Sequence, residues 1–485
     1  MNQIKPWHWR KLPLAQRSGS QVFEALFLNS RDKIGAHRET VSEEPHQPIA
    51  TLLESPVMPN STPLARYSIC AGSPRYLENQ VQLWTPPVGE ILPFLRHLLN
   101  TPTQLESFLP PELPFTGGWL GWLGYDLAWE IEELPQSNTD SLPFPTAYWY
   151  EPESFAVLDH HQQILWLATT DATQLELLES QLKQAEVPQE AHNDLENPIA
   201  DGVSPLFHMS QDEYIAAVQQ AKQYIEAGDI FQANLSLRFA AHTFADSWSI
   251  YRTLQQINPS PFASYWQTPW GAIISCSPER LIQLSGRQVQ TRPIAGTRKR
   301  GATPTQDEQL AQELIANTKE RAEHIMLVDL ERNDLGRVCD WGTVQVNELL
   351  TIERYSHVMH LVSNIIGRLH PNCNPVDLIK GVFPGGTITG CPKVRCLEII
   401  EELEPVKRNL FYGSCGYLDW RGNLDLNILI RTLLYTNTQD SKPGATVWGQ
   451  VGAGIVADSD PQKEWYESLQ KAQAQLKALN ITSNE

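Results

Sequence analysis

Short apolar runs separated by turn residues make up residues 1–180 of the chain. Runs of this length, punctuated by Pro, Gly and Ser, predict strands. They read QVFEALFL, QPIATLLES, ARYSICAGSPR and VQLWTPPVG. A glycine-rich aromatic piece, PFTGGWLGWLGYDLAWEIEELP, covers residues 114–135, and its glycines predict tight backbone packing at a turn between a strand and a helix.

From residue 205 the pattern alternates helical and strand-like pieces. SQDEYIAAVQQAKQYIEAGDI has helical apolar spacing, with Ser210 as its N-cap and Gly228 as its stop. Strand-like FQANLSLRF, FASYW, GAIISCS, LIQLSG and VQTRPIAGT alternate with helical EQLAQELIANTKERAEHIMLVDLERNDLG, VDLIKGVF and PKVRCLEIIEELE. Because strands are joined by short loops in one half and by helices in the other, we predict an α+β fold with a large, mainly antiparallel sheet.

Polar, Pro-containing sequence at residues 185–205 predicts a linker or surface loop. It separates an N-terminal domain, residues 1–185, from a second domain, residues 205–480. The 485-residue length and ordinary globular composition allow a sizeable core.

Charge and cysteine content exclude several classes of function. A net charge of −19 and a pI near 5.2 argue against a nucleic-acid or anionic-membrane partner. The seven cysteines are scattered without a CxxC pair, which indicates neither a zinc site nor a disulfide framework. No apolar run approaches the ~20 residues of a membrane span, and the start lacks a signal-peptide core, so we expect a cytoplasmic protein.

Two polar stretches indicate an anion-binding active site. Residues 290–301, QTRPIAGTRKRG, place cations among Pro and Gly, as in a loop that approaches an anion closely. Residues 319–337, KERAEHIMLVDLERNDLGR, carry a dense charge series around a short apolar core. We interpret the two as one wall of a polar site.

Carboxylates in three places are candidates for catalysis or metal binding. Glu279 follows a strand-like run and a Ser-Pro turn, although a single Glu there also fits a solvated charge. Glu323 lies four residues before Leu327 on a helix, and Glu464 and Glu467 lie three apart at a helix start. Paired carboxylates suit Mg²⁺, and the alternative is a salt-bridged helix surface.

Anion-binding candidates lie in the second half of the chain. They are Arg431 in LNILIRTLLY, Lys393 in FPGGTITGCPKVRC, and the backbone amides of Gly452, Ala453 and Gly454. FPGGTITGCPK lacks the phosphate-loop spacing, which excludes a nucleotide site of that kind. His360, in HVMHLVS, fits either a general acid or a core histidine.

The ordered motifs SPERL, RPIAGTRKRG, KERAEHIMLVDLERNDLGR, HVMHLVS, PGGTITGCPKVR, GSCGYLD, IRTLL and GAGIVADSD resemble the chorismate-utilising enzymes, specifically the large subunits that aminate chorismate. The resemblance covers nearly the whole chain. It implies two facing sheets flanked by helices, of the anthranilate synthase component I type, with the sheets of both domains packed as one unit and the active site between them.

The resemblance also implies roles for the candidate residues. Glu323 and Glu467, helped by Glu464, are expected to hold Mg²⁺ against the ring carboxylate of chorismate. Glu279 matches the acid/base carboxylate, and His360 matches the position associated with leaving-group and pyruvyl chemistry. Arg431, Tyr417 and the glycine amides near Gly454 are expected to hold the enolpyruvyl carboxylate, with Lys393 nearby. The remaining expected catalytic or substrate-binding positions are Gly452, Ala453, Ala295, Thr297 and Gln232.

The nucleophile is expected to be ammonia. Water-using relatives carry a Lys base where this chain has Gln232, and ammonia needs no such base because its lone pair is free. No glutaminase triad is evident, so we expect a separate glutamine amidotransferase subunit. A non-catalytic chorismate- or tryptophan-binding regulator is the alternative from another class, against which Glu279 and His360 argue.

Two products remain open within the amination branch. PFTGGWLGWLGYDL, NPSPFASYW and PGGTITG resemble aminodeoxychorismate synthases, which we favour, whereas Ala295 replaces the Lys of their PIKGT motif and resembles anthranilate synthases. LLES resembles half of a tryptophan feedback pocket. The expected pocket residues are Leu53, Glu54, Ser55, Pro261, Phe262 and Ala263.

Overall fold

The fold is described by a computed structural model for residues 7–28, 48–55, 66–100, 113–185, 205–355, 358–438 and 444–479. Two large antiparallel sheets form its centre, and helices flank them. The α+β fold with mainly antiparallel sheets is therefore confirmed. The predicted linker lies almost wholly outside the described residues.

Helices in the described ranges are α1 Gly19–Leu26, α2 Ile91–Asn100, α3 Ala128–Ile131, α4 Ala172–Gln184, α5 Gln211–Glu226, α6 Ser247–Ile257, α7 Pro304–Ala316, α8 Thr318–Gly336, α9 Pro375–Val382, α10 Lys393–Leu403 and α11 Pro461–Ala478. Short 3₁₀ turns cover Tyr125–Leu127 and Gly386–Ile388. Within these ranges, no helix combines the length and apolar character needed to cross a membrane.

The strands are β1 His8–Pro13, β2 Ala50–Glu54, β3 Tyr67–Ala71, β4 Tyr76–Leu77, β5 Gln80–Val81, β6 Leu83–Trp84, β7 Gly118–Leu123, β8 Ala147–Tyr150, β9 Ser154–Asp159, β10 Ile164–Thr169, β11 Leu206–Phe207 and β12 Gln232–Thr243. They continue with β13 Phe262–Thr268, β14 Gly271–Ser277, β15 Arg280–Ser285, β16 Gln288–Thr291, β17 Ile294–Lys299, β18 Gln345–Arg354, β19 Val358–Arg368, β20 Gly390–Cys391, β21 Ser414–Asp419, β22 Leu424–Asn427, β23 Thr432–Asn437 and β24 Ala445–Ile455.

Both large sheets contain strands from each half of the chain. The first runs β1-β10-β9-β3-β2-β13-β14-β23-β24-β12-β11, with β20 also on β12, and β2 joins β13 with Leu52 opposite Tyr265. The second runs β17-β19-β16-β15-β22-β21-β7-β8-β6, with β18 also on β19, and β7 joins β21 with Gly121 opposite Gly416. Hydrogen bonding therefore continues from the N-terminal part into the second part in both sheets.

The glycines of GGWLGWLG allow close backbone packing. A Cβ added at Gly118 would lie 2.2 Å from the carbonyl oxygen of Leu418, and one at Gly121 would lie 2.1 Å from that of Tyr148. Neither distance is sterically allowed, so β7 can lie between β21 and β8 only with glycine at these positions. The prediction of tight packing in this piece is confirmed.

Two predictions of secondary structure were wrong. QVFEALFL forms helix α1, because Ser18 caps it and because Val22, Phe23 and Leu26 fall on one buried face at helical spacing. The long helical pattern that ends at Gly336 is two helices. Asn317 ends α7 with extended backbone, and its side chain accepts from the Lys319 and Glu320 amides to begin α8.

Candidate active site

Three glutamates approach one another where α8 faces the start of α11. Glu323 lies on the second turn of α8, and Glu464 and Glu467 lie on the first two turns of α11. Burial raises the pKa of Glu323 and of Glu464, and the neighbouring Glu467 carboxylate raises both further. The structure therefore places Glu323 and Glu464 near enough to Glu467 for their carboxylates to repel one another.

A cation would relieve the repulsion among these carboxylates. Within the described part of the chain, no group of three or more His, Cys, Asp or Glu side chains is arranged to hold a metal by itself. Mg²⁺ commonly takes only one or two protein carboxylates and completes its shell with water and an anionic substrate, so the set fits it. Lys471 pairs with Glu467 at 2.9 Å and adds positive charge.

The Gly452–Gly454 segment of β24 lies beside these carboxylates. A Cβ added at Gly454 would lie 2.4 Å from Gln232 Nε2 and 3.3 Å from Glu323 Oε1, and one at Gly452 would lie 2.8 Å from Tyr412 Oη. A side chain at either glycine would fill the gap between β24 and these neighbouring side chains. Pairing with β23 ends at Gly449, so among the described strands this segment pairs only with β12, which leaves its other edge open. Ala453 points away, into the core.

Arg431 lies just before β23 rather than within a strand, with φ of +51°. Its Nη1 donates to Asn258 Oδ1 at 2.9 Å, and within the described ranges no carboxylate forms an ion pair with it. A half-buried guanidinium without a carboxylate partner can donate its hydrogen bonds to a carboxylate of a ligand.

Glu279 is buried near Arg431. Its Oε1 has no hydrogen-bond partner among the described residues. Burial raises the pKa of Glu279 to about 7, partly offset by the Arg431 charge. A carboxyl group with this pKa can give up and regain a proton near neutral pH.

His360 and Thr297 face each other across β17 and β19. Thr297 Oγ1 and His360 Nδ1 are 2.9 Å apart, and a bulge separates Ala295 from Thr297 in β17. Burial and the Arg431 charge lower the pKa of His360 to about 3. His360 is therefore a neutral imidazole near Arg431, able to orient or hydrogen-bond a ligand.

Comparison with known proteins assigns the chain to a family. The sequence matches the family described as chorismate binding enzyme over residues 72–477. The chain belongs to these chorismate-binding enzymes.

Relatives in the family have two different names. The chain is 59% identical over 483 residues to the Anthranilate synthase component I-like protein of Synechocystis sp. (strain PCC 6803), covering 98% of this chain and 93% of that one. It is 46% identical over 389 residues to Aminodeoxychorismate synthase component 1 of Bacillus subtilis, covering 79% and 81%. The solved anthranilate synthase component I of Streptococcus pneumoniae TIGR4 is 31% identical, with a TM-score of 0.71 over 91% of this chain and 95% of that one.

A cavity of about 810 Å³ in this chorismate-binding enzyme has none of the three glutamates in its lining. Its lining includes all six residues of the expected tryptophan pocket, Leu53, Glu54, Ser55, Pro261, Phe262 and Ala263. The Glu54 carboxylate already accepts hydrogen bonds from Ser20, Tyr251 and Gln255. Tyr417 also lines this cavity, so the structure does not bring it to Arg431 as we expected.

Lys393 belongs to a buried charge cluster behind Glu279. Its Nζ forms an ion pair with Asp334 at 2.7 Å and donates to the Val382 carbonyl at 2.9 Å. Two of its three donors are therefore used inside the protein. A substrate-binding role for Lys393 stays a prediction.

Glu331 is the buried acid next to this cluster. The Thr291 hydroxyl lies 2.7 Å from Glu331 Oε2 and 2.9 Å from the Leu281 carbonyl oxygen. A hydroxyl has one proton and cannot donate to both acceptors, so the geometry is satisfied when a neutral Glu331 donates to Thr291. Burial and the charges of Glu279 and Asp334 raise the pKa of Glu331 to about 8.

Glu331→Gln is expected to stabilise the protein at alkaline pH. The pKa of Glu331 is about 8 in the folded protein and 4.5 by its usual value. At a pH between these two values the folded protein keeps a proton that the unfolded chain has lost. The stability of the wild type therefore falls as pH rises through this range. The loss is about 1.4 kcal/mol for each tenfold difference in proton affinity. Urea unfolding at pH 5 and pH 9 should show a smaller decrease for Glu331→Gln than for wild type and for the exposed control Glu308→Gln. Equal decreases would contradict the neutral-acid assignment.

Sequence reasoning missed Tyr412 and Lys471 as members of the site, whereas Glu331 falls within residues 319–337, the charged stretch that we interpreted as a wall of the site. Lys471 was detectable, because it lies four residues after Glu467 on the same helix face. Tyr412 has no such signal, since a left-handed backbone with φ of +65° turns it toward Gly452.

Proposed function

We propose that this chorismate-binding enzyme replaces the ring hydroxyl of chorismate by ammonia, supplied by a glutamine amidotransferase subunit, to give 4-amino-4-deoxychorismate for 4-aminobenzoate and folate synthesis. The observation that carries the proposal is the group of glutamates beside the glycine segment of β24, which suits a metal-assisted site for a carboxylate ligand. The Glu323, Glu464 and Glu467 carboxylates lie on one side, and the open edge of Gly452–Gly454 lies beside them.

In this proposal the two carboxylates of chorismate bind differently. Glu323 and Glu467, helped by the neighbouring Glu464, would hold Mg²⁺, which would supply positive charge and Lewis acidity toward one carboxylate. Arg431 holds the other carboxylate with its planar donor pair. Tyr412 and the glycine amides at the open edge of β24 contribute further hydrogen bonds.

Glu279 is the proposed acid. Its protonated form gives a proton to the leaving hydroxyl, which departs as water. His360, neutral and hydrogen-bonded to Thr297, orients the substrate beside it. The burial of Glu279 favours this role, because burial raises the pKa of the carboxyl group and so keeps more of it protonated near neutral pH.

Gln232 supports ammonia rather than water as the nucleophile. Its amide donates to Glu323 and cannot accept a proton from water, whereas ammonia already has a free lone pair. The chain has no glutaminase triad of its own that we recognise, so a partner subunit is proposed as the ammonia source. A cytoplasmic location is proposed with it.

Anthranilate is the second candidate product. Ala295 offers no nucleophile for a covalent adduct with the ring. This feature favours direct attack of ammonia at ring C2, which leads toward anthranilate. Incubation with chorismate, Mg²⁺ and ammonium, with a lyase added or omitted, tests the choice. We expect 4-aminobenzoate only with the lyase. Fluorescent anthranilate without the lyase would support the second candidate, and no consumption of chorismate would indicate a non-catalytic regulator.

Arg431→Lys is expected to raise KM for chorismate by about 10- to 100-fold, since a point charge cannot replace a bidentate pair of charged hydrogen bonds. Steady-state kinetics should show a smaller change in kcat. Arg321→Lys, on the exposed face of α8, is the matched control. An unchanged KM in Arg431→Lys would remove Arg431 from the substrate site.

A further inference from the structure

Two side-chain amides lie next to each other on the face of β12 that borders the active site. Gln232 and Asn234 are two residues apart on the strand, so their side chains share one face. Asn234 pairs across the ladder with Gly454. Asn234 was not a candidate from the sequence.

Both amide oxygens lack a hydrogen-bond donor. Gln232 Oε1 and Asn234 Oδ1 are inaccessible to solvent and have no partner among the residues that the structure describes. The orientation of Gln232 is fixed, because its Nε2 donates to Glu323 Oε1 at 3.2 Å and a carboxylate oxygen can only accept. Unpaired buried acceptors are rare in folded proteins, so a pair on one face indicates that a ligand supplies the donors.

These amides lie along the gap that the glycines of β24 leave open. A Cβ added at Gly454 would lie 2.4 Å from Gln232 Nε2, and one at Gly452 would lie 3.0 Å from Asn234 Oδ1. Glu323 lies at the same end of the gap as Gln232. A small molecule held between the amides therefore lies against the proposed chorismate site.

The chemistry of the acceptors selects the ligand. The site offers neutral oxygens and requires a small molecule with several N–H or O–H donors. Ammonia can donate one hydrogen to each amide oxygen and keep its lone pair for attack. A neutral amide stabilises ammonium less than a carboxylate does, which helps the bound nitrogen to remain unprotonated. Water fits the same space, but neither amide can remove its proton.

We propose that Gln232 and Asn234 form the ammonia-binding site of this enzyme, with Asn234 as the residue that sets affinity for the nucleophile. This proposal rests on the proposed amination. The nitrogen lone pair forms the new C–N bond, the C–O bond to the ring hydroxyl breaks, and the proton supplied by Glu279 leaves with that hydroxyl as water. The product nitrogen loses one proton, which balances the proton that Glu279 donated.

Asn234→Leu tests the site, because leucine has a similar size and no acceptor. Chorismate consumption is measured with ammonium chloride as the nitrogen source, without the glutaminase. We expect KM for ammonium to rise at least tenfold while KM for chorismate changes less than twofold. Asn333→Leu is the control, since Asn333 is exposed on α8 and its side-chain amide donates to Asp329 on the same helix.

Asn234→Asp provides a second variant that preserves shape. Its carboxylate favours bound ammonium, so we expect the ammonium-dependent rate to shift to higher pH. An unchanged KM for ammonium in Asn234→Leu, or a parallel rise in both KM values, would overturn the proposal. If wild-type protein itself does not aminate chorismate, the proposed function fails instead, and the two failures are thus distinguishable.

Discussion

Glu279→Gln is expected to lower kcat for chorismate by about 10²- to 10⁴-fold, the usual contribution of a general acid. The amide keeps the size of the side chain but cannot deliver a proton to the leaving hydroxyl. Single-turnover kinetics with saturating ammonium and Mg²⁺ would measure the effect on the chemical step.

The pH profile gives the sharper test of this residue. Burial raises the pKa of Glu279 to about 7, so its acid form is present below pH 7 and is lost as pH rises through that value. The wild-type rate at constant free ammonia should therefore decrease across this range. The residual rate of Glu279→Gln should lack that decrease.

A matched control is Glu313→Gln, on the exposed face of α7. It should retain wild-type kcat and pH dependence. If Glu279→Gln did the same, the proton would have to come from another group, and the Glu279 assignment would be wrong.

Glu323→Gln and Glu467→Gln are each expected to lower kcat/KM by at least a hundredfold and to weaken Mg²⁺ binding. Each change removes one hard anionic oxygen donor from a small set, and Mg²⁺ binds such donors selectively. Isothermal titration with Mg²⁺ in the presence of chorismate gives a readout that does not depend on turnover. We expect Mg²⁺-induced thermal stabilisation to be lost in parallel.

The two glutamates differ in their surroundings, which makes the pair informative. Glu323 is half-buried and bonded to Gln232, whereas Glu467 is more exposed and paired with Lys471. Glu226→Gln, exposed at the end of α5, is the control. Undiminished Mg²⁺ binding in both variants would exclude these carboxylates as ligands.

Periodic patterns predicted the local elements of this chain well. Ser210 and Gly228 bound a helix as expected, and the spacing of Glu464 and Glu467 placed both on α11. Helix α1 was mistaken for a strand because QVFEALFL is too short for its period to be decisive.

Contacts between distant segments could not be predicted in the same way. Two examples are the hydrogen bond between Glu331 and Thr291 and the approach of Tyr412 to Gly452. Both depend on how helices and loops pack on the sheets. The resemblance assigned roles to Glu279 and Arg431, but it placed Tyr417 with Arg431, whereas the structure places Tyr417 in the cavity lined by the expected tryptophan-pocket residues.

Continuity of both sheets between the two halves of the chain limits how the protein can be divided. A cut between residues 186 and 204 would expose the β2 and β7 edges on one fragment and the β13 and β21 edges on the other. Long unpaired edges of this kind promote aggregation. The fragments would therefore need to be produced together, so that each serves as the template on which the other completes its sheets.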